Sequence, residues 1–388
     1  MSEPIEMYFN DFIKLNRGFD LPESNIVAGK YPIAASTSIK DYHKDFKVKA
    51  PCVTTGRSGS LGSVLFINQD CWPLNTTLYV KDFKGNNPKY VYYFLQTMKL
   101  ESFNCGAGVP TLNQNHLHKV KVKIHKKDEQ HRIASILYAY DDLIENNSRR
   151  IALLEQMAEQ IYKEWFVRMR FPGYQNMEFE KGVPKGWDWK KVEEVFKTSS
   201  GGTPSRQKEQ EYYGGNIDWI KTGELKDNFI FDSEEKITDS GLKNSSAKLF
   251  PPHTLLMAMY GVNIGQLGIS VKPSTANQAV CVFLPKEPKQ YSLYYTFFFF
   301  KSIRSHLFNI SMGAAQQNLS QDIIKRLNYL KPETSLLLDF EGIQKPMFDE
   351  ILKLSQQNQT LKQTRDLLLP RLISGKLKVN ELKEFELV

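Results

Sequence analysis

The chain has 388 residues, 41% hydrophobic and 24% charged, which suits a soluble globular protein with two or three cored domains. Its formal charge of +8 and pI near 9.0 lean towards a polyanionic partner. Cys52, Cys71, Cys105 and Cys281 are too scattered for a zinc knuckle or a short redox pair. No apolar run reaches the roughly 18 residues of a membrane span, and Met1–Glu6 lacks the basic and apolar regions of a signal peptide. The expected setting is a reducing cytoplasm.

Residues 1–125 mix short apolar runs with Gly and Pro, the pattern of a module of short strands and few helices. Val53–Thr55 and Leu78–Val80 read as strands, and Gly56, Gly59 and Gly62 break the chain between them. Tyr90–Met98 reads as a short amphipathic helix, and His116 and His118 alternate as on a strand. Region 126–172 is helical, with Asp128 placed to cap it and Pro172-Gly173 to stop it. Ile133, Leu137, Tyr140, Ile144, Asn147, Ile151, Leu154, Ala158, Ile161 and Trp165 step by four and three, a heptad seam. So long a helix calls for a partner helix. Residues 173–185 form a Gly- and Pro-rich linker.

A second module, 186–332, opens on Trp187-Asp188-Trp189 and the glycine-rich Ser199-Ser200-Gly201-Gly202-Thr203-Pro204. Its most apolar block, Tyr294–Phe300, reads as buried core. A second helical region, 333–379, renews the seam at Met347, Ile351, Leu354, Asn358, Leu361, Arg365 and Leu368. Pro346 is expected in its first turn, and Pro370 and Gly375 at its end. Residues 380–388 read as a tail. Asn147 and Asn358 are the polar seam residues, of the kind that fixes register between paired helices.

The chain also repeats itself. Gly106–Asn115 returns as Gly313–Asp322, an offset of 313 − 106 = 207 that also carries Leu154 to Leu361 and Gln156 to Gln363. Ser60-Leu61-Gly62 parallels Asn263-Ile264-Gly265, Asn75–Leu78 parallels Asn277–Val280, and Tyr92-Tyr93 parallels Tyr294-Tyr295. The loops between these matches differ almost completely. Similar frames with different loops suit two readers of different sequences, and neutral drift after duplication would look alike.

Motifs of catalysis are missing. There is no phosphate-binding Gly-x-x-x-x-Gly-Lys-Ser/Thr loop, no Asn/Asp-Pro-Pro-Tyr/Phe methyltransferase tetrad, and no third ligand near His116 and His118. Asp218 with Glu224-Leu225-Lys226 imitates the acid and Glu-x-Lys of some nucleases, a short and common pattern. The polar loops are better candidates for DNA contact. They are Ser36, Thr37 and Lys40; Arg57 and Ser58 in a glycine-rich turn; Arg206 and Lys208 after Gly-Gly-Thr-Pro; Lys221 and Thr222; Tyr260 and Asn263; and Gln316 and Gln317. Arg forks onto guanine edges, amides pair with adenine, and backbone near glycine approaches phosphate closely. A solvated surface loop is the competing reading for each.

Leu361–Gly375, Trp165-Phe166, Val183–Trp187 and Gly201–Pro204 together resemble the specificity subunits of type I restriction-modification systems, over nearly the whole chain. The N-terminus lacks the Pro-x-Gly-Trp opening seen at 184–187, so the first module is expected to start near Phe12-Ile13-Lys14. The resemblance implies an α+β fold. Two α/β target-recognition domains are separated by two long helices packed as an antiparallel coiled coil, in a pseudo-two-fold repeat. Each domain would read one half of a split double-stranded DNA site. Two modification subunits carrying S-adenosylmethionine, and restriction subunits using ATP and Mg²⁺, would assemble on this chain. The chain itself would hold no catalytic residue, cofactor or metal. A nuclease or methyltransferase with a fused recognition domain is the rival.

Overall fold

The computed structural model describes residues 4–312 and 318–380. It divides into two compact units, 1–147 with 357–388, and 148–356.

In the first unit, strand Ile5–Tyr8 pairs antiparallel with Lys121–Ile124 and ties the start of the module to its end. The module therefore begins before Phe12, with an opening strand that the missing Pro-x-Gly-Trp motif concealed. The main sheet runs in the order Lys14–Arg17, Thr77–Asp82, Cys52–Gly56, Val64–Ile67. A smaller sheet sets Tyr31–Ala34 between Ile39–His43 and Trp72–Pro73. Helix Pro88–Thr97 covers the main sheet. Its proline occupies the first turn, and the Asn87 side chain accepts the N–H groups of Lys89 and Tyr90. Phe9, Phe12, Val53, Leu78, Tyr90, Leu137 and Leu372 form one core.

The second unit repeats this plan and adds to it. Asp188–Lys191 pairs with Asn328–Lys331. The main sheet runs Phe196–Ser200, Val280–Pro285, Leu255–Ala258, Leu267–Ser270, and the smaller sheet sets Tyr213–Ile220 between Lys236–Ile237 and Thr275–Ala276. One strand is new. Asn228–Ile230 lies parallel against Leu267–Ser270 at the sheet edge. Tyr294–Phe300 lies in helix Leu293–Ser302 and is buried throughout.

The shared geometry corrects two sequence matches. Leu74 donates its N–H to Ala34 O, and Asn277 does the same to Ile220 O, so Asn277 answers to Leu74 and not Asn75. The caps Asn87 and Ser292 align Tyr90 with Tyr295, so the Tyr-Tyr pairs are out of step. The geometry also finds a match that sequence hid. Gly18 N–H reaches Thr77 O as Gly201 N–H reaches Val280 O. A Cβ at Gly18 would lie 2.2 Å from Leu74 O, and one at Gly201 2.0 Å from Ala276 O. Neither backbone can yield cheaply. Gly18→Ala and Gly201→Ala are each expected to cost about 1–3 kcal/mol, read as a lower thermal midpoint. Gly108→Ala, with open space around it, serves as the unaffected control.

The first long helix spans Lys127–Tyr162 and widens into a π turn, Lys163–Val167. Asp128 sits inside its first turn and does not cap it. The helix stops before Pro172, where Met169 takes a left-handed φ of +57, and Trp165 and Phe166 of the π turn lie in the core with Tyr162. The second long helix spans Thr334–Ile373, so Pro346 is in its interior. The seam extends back through Leu337, Phe340 and Gln344, all buried, and that burial carries the helix past the proline. Gly375 at φ +73 ends it, its N–H donating to Leu372 O.

Within each unit the long helices run antiparallel. In the first, Arg365 pairs with Asp141, and Asn358 Nδ2 donates to Ile144 O at 3.3 Å. In the second, Arg150 pairs with Glu350 at 2.7 Å, and Gln344 Nε2 donates to Ala158 O at 3.1 Å. Asn147 and Asn358 are both buried, and Asn358 bonds one turn away from Asn147.

Candidate nucleic-acid interface

In the first unit three polar segments converge. Ser58 bridges to Thr111, and Gly59 N–H donates to Pro110 O at 3.0 Å. Ser36 Oγ lies 3.1 Å from Ser58 O and 2.9 Å from Thr76 O. The glycine-rich turn, the Ser36–Thr37 loop and the Gly106–Thr111 loop thus form one cluster. Gly59 and Gly62 adopt φ of +84 and +88, which explains their presence. Arg57 is half-buried, and Nη1 donates to Asn75 O at 3.2 Å. Its remaining guanidinium donors are available for a base edge or phosphate. Lys40 stands apart on strand Ile39–His43, paired with Glu23 at 2.5 Å.

The second unit rebuilds the cluster with other side chains. Tyr260 bridges to Asn318 as Ser58 does to Thr111. Met259 O accepts Leu319 N–H as Arg57 O accepts Leu112 N–H. Met259 and Tyr260 therefore stand where the first unit has Arg57 and Ser58. Asn263 Nδ2 reaches Thr222 O at 3.4 Å, joining this turn to the Lys221–Thr222 loop. Val262 at the tip is 94% exposed, an apolar side chain that sequence reading passed over. Gln316 and Gln317 lie outside the described residues.

The basic candidates of the second unit are already paired. Arg206 Nη2 donates to Glu235 at 2.6 Å and Nη1 to Glu209 at 2.9 Å, while its guanidinium lies 4.0 Å from the Tyr213 ring centre. The Glu235 hydrogen bond raises the Arg206 pKa and lowers that of Glu235. Lys221 Nζ lies 3.5 Å from the same Glu235. Lys208 lies 3.7 Å from Glu211 and over the Tyr212 ring. Glu235 was invisible as a partner in the sequence, 29 residues from Arg206.

The nuclease-like carboxylates are committed elsewhere. Asp218 is buried against Lys272 Nζ at 3.0 Å and Ser233 Oγ at 3.2 Å. Glu224 accepts the N–H groups of Lys221 at 2.6 Å and Glu234 at 2.8 Å, and burial raises its pKa. Such a carboxylate caps a turn and does not await a metal. His116 and His118 lie on the short helix Gln114–His118, not on a strand. His118 Nε2 accepts the Leu15 N–H at 3.1 Å, and burial lowers its pKa. Among the described residues no group of three or more His, Cys, Asp or Glu can hold a metal, and no helix is long and apolar enough to cross a membrane. The four cysteines are free thiols.

Comparison with known proteins agrees with this doubled frame. Residues 6–156 and 184–333 each match the type I restriction modification DNA specificity domain. The chain is 26% identical to the MjaIX specificity subunit of Methanocaldococcus jannaschii over 76% of its own length and 70% of that protein's. It is 21% identical to the HindI specificity subunit of Haemophilus influenzae, over 81% and 84%. Its fold matches that of the type I system S subunit from M. genitalium with a TM-score of 0.66, at 16% identity over 95% and 96% of the two chains. With both modules matched and both loop clusters built on one frame, the chain belongs to the type I restriction modification DNA specificity family and is a non-catalytic DNA specificity subunit.

Proposed function

We propose that the two units read the two halves of a bipartite double-stranded DNA site, and that the chain serves as scaffold for two modification subunits and for restriction subunits. The observation that carries this reading is the substitution of side chains on a constant frame: the half-buried Arg57 and Ser58 in one unit give way in the other to Met259, which turns into the core, and the exposed Tyr260. A shared frame holds the turn at one depth in the groove, and the different side chains select different bases. Ser36 and Thr37, with Arg57 and Ser58, serve one half. Lys221, Thr222, Tyr260 and Asn263, with Gln316 and Gln317, serve the other. Arg206, Lys208 and Lys40 serve the backbone. S-adenosylmethionine, ATP and Mg²⁺ belong to the partner subunits, and the complex works in the cytoplasm. Asn147 and Asn358 fix the register of the helix pair.

The test is reconstitution. The purified chain, given DNA, Mg²⁺, ATP and S-adenosylmethionine, is expected to leave DNA unmethylated and uncut. Adding modification subunits should bring adenine methylation at one split sequence. Methylation at a continuous site would overturn the bipartite reading, and turnover by the chain alone that vanishes in Glu224→Ala would overturn the scaffold.

A second expectation concerns Glu235. It neutralises Arg206 and draws on Lys221, so Glu235→Gln frees positive charge at the proposed DNA face. Binding to non-cognate duplex should strengthen, and its dependence on salt should steepen, by counterion release. Titration at several salt concentrations reads both, and an unchanged slope would remove Arg206 from the DNA-facing set.

A further inference from the structure

The second unit has a strand that the first lacks. Residues 221–235 separate Ile220 from Lys236, whereas only 35–38 separate Ala34 from Ile39. The added chain delivers Asn228–Ile230 to the edge of the main sheet. Asp227 N–H donates to Leu267 O at 2.8 Å, and Val271 N–H to Ile230 O at 3.1 Å. Beneath this cover Leu267–Ser270 is buried at every residue.

The counterpart in the first unit is Val64–Ile67, the outermost strand of its sheet. Val64, Leu65 and Phe66 are only half-buried, and no described strand pairs with their outer side. Gly56 N–H donates to Ser63 O, and pairing alternates along an antiparallel ladder. The backbone groups of Val64 and Phe66 therefore point outward, as those of Leu267 and Ile269 point at the fifth strand. An exposed apolar edge invites pairing, and proteins usually blunt one with lysine or proline. Val64-Leu65-Phe66-Ile67 has neither. Beside it lies an open cleft of about 610 Å³, lined by Ile39, Tyr42, Phe66, Tyr92, Tyr138 and Asp141.

We propose that the Val64–Ile67 edge is a strand-addition site that takes an extended segment of a modification subunit as its fifth strand. The covering strand of the second unit is the template for the occupant. It lies parallel, and its Phe229 is turned inward with its ring 6.0 Å from that of Phe348. The incoming segment carries an aromatic or β-branched residue that packs on Phe66 and Tyr92, while its backbone satisfies Val64 and Phe66. The cleft is walled by Tyr138, Asp141 and Glu145 of the first long helix, with Asp141 paired to Arg365. The outward N–H and C=O groups of Val64 and Phe66 match the backbone of an extended protein segment, as Leu267–Ser270 is matched by Asn228–Ile230. The inference rests on the reading that modification subunits assemble on this chain.

Hydrogen exchange tests it, on the full chain alone and in complex with its modification subunits. The Val64 and Phe66 amides are expected to exchange at least 10-fold more slowly in the complex, and rapidly in the free chain. Val64→Pro removes one outward donor, at a position where an edge strand tolerates proline. It should weaken the complex at least 10-fold without lowering the thermal midpoint. A complex that forms while both amides exchange at the free rate overturns this inference and leaves the assembly reading standing. No complex at all overturns both. Protection that rises with the concentration of the chain alone identifies a second copy as the occupant and also overturns it.

Discussion

Arg57→Ala is expected to relax recognition of one half of the DNA site and leave the other half intact. Arg57 lies in the turn bridged to the Gly106–Thr111 loop, and one of its donors is held by Asn75 O. That bond steadies the guanidinium and leaves donors for a bidentate base contact, whose loss costs about 1–3 kcal/mol, roughly five- to 150-fold in discrimination. Asn263→Ala is the test in the second unit, where the side chain reaches Thr222 O. Mapping adenine methylation by the reconstituted complex on a randomised site library reads both halves at once. Each variant should loosen a different half. If Arg57→Ala instead weakened binding evenly across sequences and reduced the salt slope by about one, Arg57 would be a phosphate contact.

Phe340→Ala is expected to be the most damaging single truncation in the second unit. Phe340 is fully buried, with ring centres of Phe166 at 4.9 Å, Trp165 at 5.7 Å and Tyr162 at 6.4 Å. It joins both long helices of that unit to one aromatic core. Truncation should cost about 3–5 kcal/mol, through lost transfer energy and the cavity left among rigid rings. Leu338→Ala, on the same helix but 52% exposed, should change stability by no more than about 0.5 kcal/mol. Denaturant unfolding of the two variants measures the contrast. A loss below about 1.5 kcal/mol for Phe340→Ala would show that the rings collapse into the gap.

The sequence alone was sufficient for the repeat, the seams and the family resemblance, because each is a local pattern. A heptad step is visible wherever the same face of a helix is buried, so Ile133, Leu137, Ile351 and Leu354 could be read directly. Glycine in a tight turn is legible for the same reason. Tertiary structure decided what depends on partners distant in sequence. Burial of Leu337, Phe340 and Gln344 carries a helix through Pro346, where local propensity would start one. Gly18 matches Gly201 through a backbone clash that no sequence offset reveals. Glu235 becomes the partner of Arg206 and Lys221 only when the smaller sheet brings distant residues together. Which edge of a sheet stays open is set by whether an insertion such as 221–235 returns to cover it, and hydrophobic periodicity carries no record of that.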